Sequence, residues 1–287
     1  MNKYISLLFK VHIHPVLWGI AGLSVVTAQF KSLILLFVIV FFHEMGHAVC
    51  ARFFSWRVKS IMLLPFGGVV EVDEHGNRPL KEEFWVILSG PLQHIPLQLI
   101  GWFLFAIDWI SYETFVYFTW LNASILLFNL LPIWPLDGGK LFLLWRSANM
   151  SYPNAHRQVL VFSFYLLCLI CFVTVIFHPT SINLWLILSF IGYSLYMENK
   201  HKQYVYLRFL MERYYGKNEA VHALKPIEVK EDDELFNVLM RFQRGCKHPI
   251  IVEQHDGKVQ LDETELLHAY FTHKQTNARM KELLYVY

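Results

Sequence analysis

At 287 residues the chain is 55% hydrophobic and 17% charged, with a mean hydropathy of +0.36, a balance outside that of an ordinary soluble domain and in keeping with an integral membrane protein. A formal charge of +2 argues against a nucleic-acid-binding surface. Four scattered cysteines, Cys50, Cys168, Cys171 and Cys246, argue against a disulfide framework, and Cys168-x-x-Cys171 reads as a pair of small apolar residues in a membrane helix.

In chain order, the start carries positive charges, an apolar run and a Val26-x-Ala28 site, the outline of a cleaved signal peptide. His12 and His14 inside that run, and a second apolar span after a short gap, favour a retained helical hairpin instead. Windows near membrane-spanning length fall at 14–29, 33–53, 84–107, 115–132, 159–177 and 181–197. The connections on one side carry a single basic residue, Lys31, whereas Lys3, Lys10, Arg52, Arg57, Lys59, Arg78 and six more lie on the other. The positive-inside rule then puts both ends in the cytosol.

Between the second and third windows, residues 61–72 are apolar and β-branched around Pro65-Phe66-Gly67-Gly68. They are too short to cross as a helix and read as a hairpin dipping into a protein-lined cavity, with a surface amphipathic hairpin as the alternative. Beyond Met197 the sequence turns charged and aromatic at helical spacing, as a juxtamembrane helix does. A small α/β unit follows: strands at "PIEV", "HPIIVEQ" and "KVQL", a tight turn at Asp256-Gly257, and helices over "ELFNVLMRF", capped by Asp232 or Asp233, and "DETELLHAYF". The division expected is 1–197 for the membrane core, 198–222 for the linker helix and 223–287 for the last domain.

Chemistry concentrates in "HEMGH". On a helix His43 and His47 are i and i+4 and project from one face within reach of one ion. Glu44 lies about 100° around the axis, suited to take a proton from a metal-bound water. An ionisable group at mid-bilayer costs about 2.5 to 3.5 kcal/mol, so three together call for a compensating partner, which a divalent cation supplies. The third ligand is sought in "LLFNLLPIWPLDGGK", where Asp137 is the carboxylate at membrane depth, while Asp73, Glu74, Glu82 and Glu83 lie in a charged loop. Asp137 as a plain helix N-cap is the competing reading; it leaves Pro132, Pro135 and the amide of Asn129 without a role. Two imidazoles and one carboxylate suit Zn²⁺.

"HEMGH" in an apolar span, followed by "NLLPIWPLDGG", the Gly67-Gly68 hairpin and "SGPLQH" at residues 89–94, resembles the site-2 protease family of intramembrane zinc metalloproteases over about residues 10–200. The resemblance implies Zn²⁺ on His43, His47 and Asp137, and Glu44 as the activator of water. It also implies an extended substrate held by Asn129, Pro132, Pro135 and the hairpin residues Pro65, Phe66, Gly67 and Gly68. "SGPLQH" departs from the family's usual A-G-P-x-x-N by ending in His94, whose role stays open. Residues 223–287 resemble a cystathionine-β-synthase-type (CBS) domain. Such domains bind ATP or another adenine nucleotide, usually as pairs, so a single copy implies a homo-oligomer; a plain interaction module is the alternative.

The fold expected is thus a polytopic α-helical membrane protein of about six transmembrane helices with a re-entrant β-hairpin and a small C-terminal α/β CBS-like domain. The whole resembles the sporulation branch of the family, which implies as substrate a membrane-associated sigma-factor precursor, pro-sigma-K, inhibitory membrane partners, and a location in the mother-cell-derived membrane around the forespore. Two rival functions are an ion-conducting transporter built on the His/Glu/Asp cluster and an inert scaffold acting through its C-terminal domain.

Overall fold

The computed structural model describes residues 5–13, 15–26, 30–64, 67–72, 78–216, 223–254, 257–276 and 278–284. The chain divides into two compact units, one of residues 1–73, 81–141 and 170–191, the other of residues 74–80, 142–169 and 192–287. The elements up to the end of the long helices are α1 (Ile5–Leu8), β1 (Val11–Ile13), α2 (Pro15–Val26), α3 (Phe30–Phe53), β2 (Val58–Leu64), β3 (Gly67–Val72), α4 (Leu80–Leu92), α5 (His94–Ala106), α6 (Tyr112–Asn129), α7 (Asp137–Asn149), α8 (Tyr152–Phe177) and α9 (Ile182–Tyr215).

Among the described residues, α3 and α8 are the helices long and apolar enough to cross a membrane. α3 has no proline and buries one stripe, Ile39, Val40, His43, Glu44, His47 and Ala51 among it, the spacing of a single helical face. The window at 84–107 is not one continuous helix: it divides at Gln93 into α4 and α5. Pro91 and Pro96 lack the N–H that a continuous ladder needs, and the chain closes a tighter turn there, with the Gln93 N–H donating to the Gly90 carbonyl at 2.9 Å.

The window at 14–29 contains α2, and a strand that the sequence did not suggest precedes it. Val11–Ile13 is a strand, paired parallel to β2 with Val11 opposite Ile61 and Ile13 opposite Leu63. Alternation at Val11-His12-Ile13 fits a strand, and Lys10 anchors it by donating from Nζ to the Val58 carbonyl. β2 pairs antiparallel with β3, Leu64 opposite Gly67, so the sheet order is β1-β2-β3. The hairpin is longer than expected, beginning at Val58. Beneath it Leu7, Ala48, Ala51, Trp56, Ile61 and Val86 form an apolar cluster.

The second unit completes the chain with β4 (Ala223–Leu224), β5 (Ile227–Lys230), α10 (Leu235–Leu239), β6 (Cys246–Lys247), β7 (Ile250–Gln254), β8 (Gly257–Leu261), α11 (Glu263–Phe271) and α12 (Met280–Leu283). β7 is central, parallel to β5 and antiparallel to β8, and β4 pairs parallel with β6. Val229, Ile250 and Val252 point into a core shared with Leu235, Leu266 and, from α9, Leu210. Asp262 caps α11 in a capping box with Glu265, as the sequence leads one to expect.

α10 is shorter than "ELFNVLMRF" suggests, and neither Asp232 nor Asp233 caps it. The cap position is Glu234, which forms a bridge with Arg279, and the Leu235 N–H donates to the Ala278 carbonyl. A neighbouring strand-like segment thus supplies what a cap side chain would. Of the turn expected at Asp256-Gly257, Gly257 opens β8 with φ +155° and residue 256 lies outside the described residues.

Candidate active site

α3 presents His43 and His47 one turn apart, both buried. α7 begins at Asp137, also buried, after the loop that follows α6. That loop sits hard against the helix start: a side chain on Gly138 or Gly139 would strike the carbonyls of Leu130, Leu131 and Ile133, so only glycine lets the two approach. The result carries Asp137 to α3. Its Oδ2 lies 3.1 Å from Nε2 of His43 and 3.1 Å from Nε2 of His47, and the two Nε2 atoms are 3.2 Å apart.

Whether this triangle fits a metal can be judged from its chemistry. Nδ1 of His47 donates to the Val86 carbonyl at 2.7 Å, which leaves Nε2 with a bare lone pair. The Asp137 carboxylate only accepts; Oδ1 takes Lys140 Nζ at 3.2 Å, leaving Oδ2 aimed inward. Oδ2 and the bare Nε2 of His47 thus converge with Nε2 of His43 on one point, an arrangement that a cation satisfies. Zinc ligands about 2.0–2.1 Å from the ion stand about 3.3 Å apart at a tetrahedral centre, close to the three separations found. The three side chains form the potential metal-binding group found among the described residues, and they fit zinc.

Neighbouring glycines set the distances. A Cβ on Gly90 of α4 would overlap the His47 ring, and one on Gly46 would lie 2.5 Å from the Ser89 carbonyl oxygen, so α3 and α4 meet backbone to backbone. A Cβ on Gly68 of β3 would lie 2.6 Å from Cδ of Glu44, and the Gly68 N–H donates to that carboxylate. Glu44 is buried beside the histidines, with the hairpin closing over it.

Of the residues expected to hold substrate, Gly68 touches Glu44, while Gly67 takes φ +149°, a conformation that favours glycine. Asn129, also expected to hold substrate, is half-buried and donates from Nδ2 to the Ile125 carbonyl, 3.0 Å away on its own helix. Pro132 and Pro135 are half-buried in the loop before Asp137. Pro65 and Phe66 lie outside the described residues. The deeply buried amide is Asn122, which the motif-based reading passed over although it is a polar residue in mid-span. Asn122 and Lys140, unassigned in the sequence, and His94, left open there, belong to this site by their hydrogen bonds.

Comparison with known proteins gives concordant results. A family model described as Peptidase family M50 matches residues 31–111 and 105–172. The chain is 52% identical to Stage IV sporulation protein FB of Bacillus subtilis (strain 168), with all of both chains covered. It is 30% identical to a zinc metalloprotease of Methanocaldococcus jannaschii, covering 54% of this chain and 47% of that one. The solved site-2 protease of the same archaeon shares the fold with a TM-score of 0.51 at 23% identity, covering 68% of this chain and 87% of that one.

Proposed function

The chain belongs to peptidase family M50, the site-2 proteases, and is a zinc metalloprotease of that membrane protein family; from this premise we propose that it cleaves a membrane-associated protein within the bilayer, near the cytosolic leaflet. The convergence of His43, His47 and Asp137 at 3.1–3.2 Å beside Glu44 carries this reading.

His43, His47 and Asp137 would hold the zinc, which when bound would supply an acidified water and a Lewis acid for the scissile carbonyl. Glu44 takes the proton of the attacking water and delivers it to the leaving amine. The Gly68 N–H holds the Glu44 carboxylate in register with the histidines, and Lys140 keeps Asp137 turned inward. A peptide bond inside an intact helix has its carbonyl already engaged, so the substrate has to arrive extended. β1 covers one edge of β2 and β3 the other; the outer edge of β3, beside Glu44, suits an added substrate strand. Gly67, Gly68, Pro65 and Phe66 of the hairpin, with Asn129, Pro132 and Pro135, line the path in this reading.

Full-length similarity to Stage IV sporulation protein FB supports pro-sigma-K as substrate, with inhibitory membrane partners and a place in the membrane around the forespore. In the same reading the protein has six spans with both termini cytosolic. Residues 1–197 are the protease, 198–222 a juxtamembrane helix and 223–287 a CBS-like domain, whose strand–helix–strand–strand–strand–helix order from β5 to α11 supports the assignment. That domain binds an adenine nucleotide between two copies of the chain.

The test is co-expression with pro-sigma-K, comparing wild type with Glu44→Gln by gel shift, together with zinc content of both purified proteins. Cleavage by wild type alone, with zinc in both, is expected. Cleavage that persists in the variant would refute Glu44 as the base, and a zinc-free wild type would refute the metal site.

A further inference from the structure

His94 is the first residue of α5, set just past the break at Gln93, and only 1% exposed. Its Nε2 lies 3.1 Å from Nδ1 of His43, on the side of that ring away from the three converging acceptors. Its Nδ1 lies 2.7 Å from Oδ1 of Asn122 on α6. Two buried imidazoles in contact can share a hydrogen bond only if one nitrogen carries a proton and the other does not.

The direction of that bond follows from its surroundings. Gln98 Nε2 donates to Thr119 Oγ1 at 2.9 Å, so Oε1 is its accepting end. Asn122 Nδ2 donates to that oxygen at 3.2 Å and to the His94 carbonyl at 3.0 Å. Both acceptors fix the amide, so it is Oδ1 that meets His94 and accepts from Nδ1–H. Nε2 of His94 is then bare and accepts from Nδ1–H of His43, which leaves Nε2 of His43 unprotonated and facing Asp137 and His47. His47 reaches the same state through the backbone carbonyl of Val86. The two imidazoles are thus tuned by different devices, one main chain and one side chain.

We propose that His94, oriented by Asn122 and Gln98, is a positioning residue that selects the metal-binding tautomer and ring orientation of His43. The inference rests on the metalloprotease reading above. A ligand histidine whose outer N–H has a fixed acceptor binds metal more tightly, and loss of such an acceptor costs about tenfold to a hundredfold in affinity. An apolar residue at 94 leaves the His43 N–H buried without a partner, and its ring free to turn.

Full-length protein carrying His94→Leu, His94→Gln, Asn122→Leu or Asn122→Asp is purified beside wild type. Zinc affinity is measured by competition with a chromogenic chelator, and the visible spectrum is recorded after Co²⁺ substitution. His94→Leu is expected to weaken zinc binding about tenfold to a hundredfold and to alter the cobalt bands. His94→Gln, whose Oε1 can accept from His43, is expected to recover most of the affinity; Asn122→Leu should follow His94→Leu, and Asn122→Asp should also weaken binding, because its second oxygen would face the His94 carbonyl and Gln98 Oε1 without a proton to donate. Wild-type affinity and spectrum in His94→Leu would overturn the proposal. So would equal losses in His94→Leu and His94→Gln, which would mean that space rather than an acceptor matters. If His94→Leu does not accumulate, wild-type zinc affinity in Asn122→Leu overturns it equally. A zinc-free wild type sinks the metalloprotease reading as well, whereas a zinc-loaded wild type with unaffected variants sinks the positioning role alone.

Discussion

Gly68→Ala tests the coupling between the hairpin and the general base. An alanine Cβ would stand 2.6 Å from Cδ and 2.8 Å from Oε1 of Glu44, where ordinary contact begins near 3.4 Å. Strand or carboxylate must therefore move by roughly 1 Å, and a misplacement of that size at a reacting group costs about 10²-fold in rate, or about 2.7 kcal/mol of barrier. Alanine keeps the N–H that bonds Glu44, so the perturbation is one of distance alone. Glu44 is not among the converging ligands, so zinc content should stay at the wild-type level. The assay is kcat for cleavage of the proposed substrate, pro-sigma-K, by purified enzyme, since kcat separates this effect from any change in substrate binding at the proposed β3 edge. Gly22→Ala serves as control, because a Cβ there meets nothing within 4 Å. A kcat for Gly68→Ala within twofold of wild type would refute the argument that β3 sets the position of Glu44.

Gly90→Ala acts on the metal instead: its Cβ overlaps the His47 ring, so zinc occupancy should fall together with activity, and full occupancy by elemental analysis would contradict the packing described. In the second unit Arg213 is paired with buried Glu263 and also donates to the carbonyls of Gln243, at 2.7 Å, and Cys246. Arg213→Met should destabilise the unit by about 3–5 kcal/mol by leaving Glu263 buried without its counter-charge; amide exchange in β7 would report this, and unchanged protection would count against it. His248 donates from Nδ1 to the Lys225 carbonyl and accepts at Nε2 from the Gln243 N–H. Burial, reinforced by the nearby Arg213 charge, holds its pKa below the ordinary 6.5. The unfolded chain then binds the proton more readily, so stability is fully present above pH 6.5 and is lost as pH falls from there toward the lower folded value. His248→Gln should flatten that dependence, and a β7 protection profile equally steep with and without His248 would dismiss it.

Much of the site was legible because its members are conspicuous where they stand. His43, Glu44 and His47 interrupt an apolar run at helical spacing, and Asp137 follows two prolines, so each announces itself by what lipid would not tolerate. What stayed hidden depends on contacts between segments far apart in sequence. Asn122 looks no more special than Asn129, seven residues on, until His94 is found against it. The glycines at 68 and 90 are informative only once their neighbours, Glu44 and His47, are known. At the chain start, the three residues ahead of the window at 14–29 carried no expectation of a strand, because a parallel partner fifty residues away, rather than local preference, makes Val11–Ile13 one. The same holds for the start of α10, set at Glu234 by a bridge to Arg279 that no local signal reveals.

The edges of the three-stranded sheet are β1 and β3, and it is β3 that lies against Glu44, so one rail, the outer side of β3, runs beside the site. Backbone pairing along such a rail repeats every second residue. In the proposed mode of binding, a guest strand can slide only in two-residue steps if the same face is to meet the metal. The bond that is cut is then chosen by how far the guest has slid, and where it stops depends on the point at which it ceases to be helical. Specificity of this kind resides in the unravelling of the guest as much as in any pocket of the host.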